Sequence, residues 1–159
     1  MEIIDLVDDA WRGNIDTYAA RMSDNRWVPY NYLQYLAAKV QETVTKENGR
    51  LLVFIPPRHG KSEFISRWTP TWFLDLWPTK RVILASYEAT FAASWGAKVR
   101  DELQHNPLAW SIIKKEKKAS NDWQTKEGGG MVTSGAGGPI TGRGFDLGII
   151  DDPIKNWDE

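Results

Sequence analysis

Leu33, Leu36, Ala37, Val40 and Val44 recur at the i, i+3, i+4, i+7, i+11 spacing of an amphipathic helix. Asn31 reads as its N-cap, with Gln34 reaching back in a capping box, and Gly49 as a left-handed C-terminal cap. Ile3, Ile4, Leu6, Val7, Trp11 and Tyr18 predict a helix over residues 2–22, interrupted at Gly13. Phe91, Trp95, Val99 and Leu103 predict another over 88–104, closed by Asn106-Pro107. A helix over 61–68 is expected to stop at Pro70. Thr69-Pro70 would then open a short second helix that ends before Pro78.

Four apolar stretches predict strands instead: Leu51 to Ile55, Arg81 to Tyr87, Met131 to Ser134, and Leu147 to Ile150. A further short strand is expected around Trp123, turning at Glu127 to Gly130, and residues 135–144 read as a glycine-rich loop. Strands alternating with helices predict an α/β fold with a mostly parallel sheet flanked by helices. The expected domains are a helical lead-in over 1–50 and a core over 51–159.

Composition changes this picture little. A chain of 159 residues, 42% apolar and 26% charged, fits one globular domain. It holds no apolar run near the ~18–20 residues of a membrane span and no basic-then-apolar secretory layout, so no membrane partner is expected. The absence of cysteine excludes disulfides and thiolate metal sites. A net charge of −1 leaves any nucleic-acid contact to a local patch. The nine tryptophans suggest core anchors or surfaces for base stacking.

The chemistry sits at two strand ends. Leu51 to Ile55 runs into Pro56-Pro57-Arg58-His59-Gly60-Lys61-Ser62, the closing half of a phosphate-binding loop. There, backbone amides at a helix start face phosphate oxygens, the lysine reaches the β/γ-phosphates and the serine hydroxyl faces Mg²⁺. Ile55 stands where the full motif has glycine, and the prolines remove two amide donors; the Arg58 guanidinium can restore some positive potential. The strand Leu147 to Ile150 ends in Asp151-Asp152-Pro153. An acidic strand end is the other half of an ATPase site: the first carboxylate serves Mg²⁺ and the next residue orients the attacking water. Together the two halves predict an ATP- and Mg²⁺-binding site.

Lesser candidates surround it. Gln34 either caps its helix or contacts adenine, and Trp27 or Tyr30 either packs or stacks on the base. Arg100 is either a solvated charge or a phosphate contact. Lys114, Lys115, Lys117 and Lys118 form either a solvated helix face or a DNA-backbone contact. Arg143, between Gly142 and Gly144, either stabilises charge developing on the γ-phosphate or pairs with a nearby aspartate.

Four stretches resemble the large terminase subunit of tailed bacteriophages, the DNA-packaging ATPase: Ile55 to Glu63, Ala85 to Asp101, Gly137 to Gly144 and Ile149 to Lys155. The resemblance spans about residues 27–156. It implies a P-loop ATPase of the additional-strand class, working as a homo-oligomeric ring with the capsid portal and a small terminase subunit in the host cytoplasm. Such a motor drives double-stranded DNA into the capsid. Lys61 and Ser62 match the family's loop lysine and serine, Asp151 its Mg²⁺ aspartate, and Arg58 its loop arginine. The family often has glutamate after that aspartate; the shorter Asp152 opens the role of catalytic base to Glu159 or Asp158. Family members carry a further sheet strand and a nuclease domain, so the core is expected to be incomplete after the acidic strand, as a fragment or a split gene product. Two rival functions remain: a helicase-like DNA-dependent ATPase, and a catalytically silent nucleotide-binding or assembly module.

Overall fold

A computed structural model describes residues 9–138, 142 and 144–154. The chain divides into two compact units, Met1–Pro56 and Pro57–Glu159.

In the first unit a 3-10 turn, Ala10–Gly13, is followed by α1, Ile15–Met22. The interruption expected at Gly13 is present: Asn14 is extended and its side chain accepts the Asp16 N–H at 3.1 Å, capping α1. α2, Asn31–Thr45, buries Leu33, Leu36, Ala37 and Val40. With Ile15, Tyr18, Ala19 and Met22 of α1 these residues form the unit's core. Gln41 Nε2 donates to the Gly13 carbonyl at 2.6 Å and ties α2 to the turn before α1.

Three expectations fail in this unit. Tyr30, not Asn31, is the N-cap of α2 and makes no side-chain cap bond. Its carbonyl already accepts from Leu33 and Gln34, so the helix begins one residue early, and Gln34 Nε2 donates to the Pro29 carbonyl at 2.9 Å instead of closing a capping box. Gly49 is not the left-handed residue; Asn48 is, at φ 56°. Glycine is needed at 49 because a Cβ there would lie 2.1 Å from the Thr43 carbonyl oxygen. Finally, Leu51 to Ile55 is extended but belongs to no strand, with Leu52 83% and Phe54 90% exposed. An apolar run becomes a strand only where a neighbour pairs its N–H and C=O groups.

The second unit is built on a five-stranded sheet. Its strands are β1 Arg81–Ser86, β2 Ile113–Lys118, β3 Asp122–Thr125, β4 Gly130–Gly135 and β5 Leu147–Ile150, in spatial order β2-β3-β4-β1-β5. β4, β1 and β5 run parallel, whereas β2, β3 and β4 pair antiparallel, so the sheet is mixed rather than mostly parallel. Residues 61–76 form one helical run: a π segment Glu63–Trp68 that passes into α3, Thr69–Leu76. α4, Ala89–His105, packs on β1 and β4.

The break expected at Pro70 does not occur. Proline cannot donate an amide bond within a regular helix, but the widened π turn re-routes the ladder, with Thr69 N–H and hydroxyl both meeting the Phe64 carbonyl. The hydroxyl of Thr71 likewise satisfies the Arg67 carbonyl at 2.7 Å. Phe64, Trp68, Trp72, Leu74, Val82, Leu84, Val99, Trp123 and Met131 fill the core. Buried Asp75 accepts the Trp110 and Ser111 N–H groups at 2.7 and 2.9 Å, fixing the segment that leads into β2.

The four lysines lie on β2, an outer strand, rather than on a helix. After buried Ile113 the strand is exposed almost throughout, and on such an outer strand lysine discourages pairing with another chain.

Candidate functional site

The site forms where β5 ends beside the helical run that begins at Lys61. β5 continues past Ile150 in contact with β1: Asp151 N–H donates to the Ala85 carbonyl at 2.9 Å, and Tyr87 N–H to the Asp152 carbonyl at 3.1 Å. These bonds fix the backbone of both aspartates at the carboxyl ends of parallel strands, where α/β sheets commonly bind ligands. Asp152 is turned by a left-handed backbone, φ 44°, and its side chain is exposed, whereas Asp151 is buried at 2% exposure.

From the other side, the turn over 57–60 leads into the helix. Arg58 and Gly60 have φ of 64° and 80°. Glycine adopts that conformation freely, while for arginine it is a strained choice of the kind concentrated at functional loops. Gly60 accepts from Phe64 N–H at 2.9 Å, which starts the helix. Arg58 and His59 are exposed, and His59 Nδ1 lies 2.8 Å from the Pro57 carbonyl.

Lys61 then meets both acids. Its Nζ is 3.2 Å from Asp151 Oδ1 and forms a shorter ion pair with Asp152 Oδ1. The second oxygen of Asp151 accepts a 2.8 Å hydrogen bond from Ser66, which is fully buried. Burial alone would push the Lys61 pKa down, but its hydrogen bonds to Asp152 and Asp151 outweigh it and the net shift is upward. An ion network holds the π segment against α4: Arg67 pairs with Glu63 at 3.3 Å and Glu102 at 2.9 Å, and Lys98 with Glu63 at 3.4 Å.

The structure thus brings together Lys61, Asp151 and Asp152, with Arg58, His59, Gly60 and Ser62 adjacent in the chain. Trp27 and Gln34 belong to the other unit. Arg143, Asp158 and Glu159 lie outside the described residues. Arg100 is committed elsewhere: Nε and Nη2 bind Asp101 at 2.8 and 2.6 Å, and Nη1 the Lys118 carbonyl at 2.8 Å. Ser66 escaped the sequence reading, because a serine inside a helix carries no local mark of a carboxylate 85 positions away.

The fold defines an α/β protein with a mixed sheet flanked by helices, and a lysine clasped between two acids at its edge. Comparison with protein-family models, curated proteins and solved structures found no match. Among the described residues no helix is long and apolar enough to cross a membrane.

Proposed function

We propose that the chain is the ATP-binding and hydrolysing part of a motor that translocates double-stranded DNA, of the large-terminase kind its sequence resembles. One observation carries this reading: Lys61 lies 3.2 Å from the buried carboxylate of Asp151 and also pairs with Asp152, across a separation of 91 residues. A phosphate-binding loop and an acidic strand end require that convergence.

The residues suit a magnesium nucleotide. Among the described residues the carboxylate of Asp151 meets a cationic nitrogen, Lys61 Nζ, and a hydroxyl, Ser66 Oγ; carboxylate oxygen suits hard Mg²⁺, and a lysine suits phosphate. Among the described residues no cluster of three or more His, Asp or Glu side chains is placed to hold a metal by itself. In this reading Asp151 and Ser62 would hold Mg²⁺ together with the nucleotide's own phosphates. Bound Mg²⁺ would offset charge on the phosphates. Lys61 would exchange its carboxylate partners for phosphate oxygens, and Arg58 would add positive potential beside them. Asp152, exposed and held by its main chain to Tyr87, would orient the attacking water.

In this reading the fold is a P-loop ATPase core of the additional-strand class, and its partners are a ring of identical subunits, DNA, a portal and a small terminase subunit in the host cytoplasm. The unpaired segment Leu51 to Ile55 favours a second reading, a nucleotide-binding module that is silent alone. Steady-state ATP hydrolysis with and without DNA, on wild type and Lys61→Ala, tests both. DNA-stimulated turnover lost in the variant supports the motor. Nucleotide binding without turnover supports the module, and full turnover by Lys61→Ala rejects the site.

A further inference from the structure

Ser66 is fully buried in the π segment, yet its hydroxyl does not follow the usual habit of a helical serine. Such hydroxyls normally bond back to a carbonyl one turn earlier. Thr69 and Thr71 do so, to Phe64 and Arg67. Ser66 instead donates to Asp151 Oδ2 at 2.8 Å. The two oxygens of that carboxylate are therefore divided. Oδ1 faces Lys61, 3.2 Å away, and Oδ2 is held from the protein interior. Asp151 is 2% exposed, so no solvent competes for Oδ2.

We infer that Ser66 is a positioning residue: it fixes the Asp151 carboxylate so that Oδ1, and not Oδ2, is presented to the cation of a bound magnesium nucleotide. This role rests on the nucleotide-site reading. Ser66 touches neither metal nor nucleotide; it acts through Asp151. Ser66 follows Ser62 by four residues in the helical run that begins at Lys61, a spacing that puts the two on one face. In the nucleotide-site reading Ser62 would face the ligand, while Ser66 holds the carboxylate through Oδ2.

The test measures affinity for a ribose-labelled fluorescent ATP in Mg²⁺ and in EDTA, with melting temperatures read in parallel. Removing a partner of this kind typically costs about 10- to 100-fold in metal affinity. Ser66→Ala and Ser66→Val should lose roughly that much of the Mg²⁺-dependent gain in affinity, while affinity in EDTA is unchanged. Ser66→Thr, which matches valine in shape but keeps a hydroxyl, should retain the gain; the pair separates the hydrogen bond from packing. In an Asp151→Asn background, Ser66→Ala should add nothing. A wild-type gain in both the alanine and valine variants overturns the role, as does an equal loss in the threonine and valine variants. If wild type binds no nucleotide, the nucleotide-site reading falls and this role with it.

Discussion

At one end of the sheet the β2–β3 hairpin is held by packing: the Trp123 ring is 1% exposed and its Nε1 donates to the Gly96 carbonyl of α4 at 3.0 Å. α4 comes that close because position 96 is glycine; a Cβ there would sit 2.4 Å from the Ser120 carbonyl oxygen. At the other end, β5 is held at its start and finish by charge. Asp146 pairs with Lys80 at 2.8 Å and takes the Arg81 N–H, and Asp151 meets Lys61 and Ser66. The hairpin end also has an ion pair, Lys117 to Asp122 at 3.1 Å, which reaches solvent as Lys80–Asp146 does; of the paired acids at the two ends, Asp151 is the buried one. Ions of the same type matter differently according to burial. The exposed pairs at either end add little, whereas the buried Asp151 carboxylate, paired with Lys61, marks the β5 end as the one suited to chemistry.

Trp123→Ala should give the largest effect. Deleting a buried tryptophan costs about 3–5 kcal/mol, and urea unfolding should show it; a loss below ~1 kcal/mol would mean that packing does not hold the hairpin.

Lys61→Met should follow. It leaves the carboxylate of Asp151 buried with Ser66 alone. Because Lys61 is 24% exposed, the full penalty for breaking a buried pair is not expected. A destabilisation of about 1–3 kcal/mol in urea is expected, together with loss of nucleotide binding. A more stable variant that still binds nucleotide would remove the contrast.

Acid should act selectively on the β5 end. The Lys80 partner, aided by the Arg81 N–H and opposed by burial, holds the Asp146 carboxyl below its ordinary pKa. A depressed folded-state pKa contributes stability that is present above the unfolded value and is lost as pH falls through the folded one. The urea midpoint of wild type should therefore drop more on acidification than that of Asp146→Asn. Parallel pH curves would contradict this.

Lys117→Ala should be the mildest, within roughly 0.2–1 kcal/mol, with less effect still in high salt. A loss equal to that of Lys61→Met would erase the distinction between the two ends.

Much of this was legible locally. The stripe of α2, the runs of β1 and β5, the α4 repeat and the turn before β4 all stand where periodicity put them, because each pattern reports which face of one element is apolar. Lys61 and Asp151 are also legible as the two halves of one site, since one opens an expected helix and the other follows an expected strand.

The sequence by itself determined the strongly patterned segments, α2, α4, β1 and β5, and the acids that end β5. Tertiary structure alone decided the rest. It left Leu51 to Ile55 unpaired, made an edge strand of the lysine cluster, and carried the helix through Pro70 by a π turn. It also placed Ser66 under Asp151. The π turn is closed within its own helix, by Phe64 and Arg67, but the other three share one reason. Hydrogen-bond partners and burial are supplied by residues far away in the chain, and no local pattern encodes what a distant strand or helix will offer.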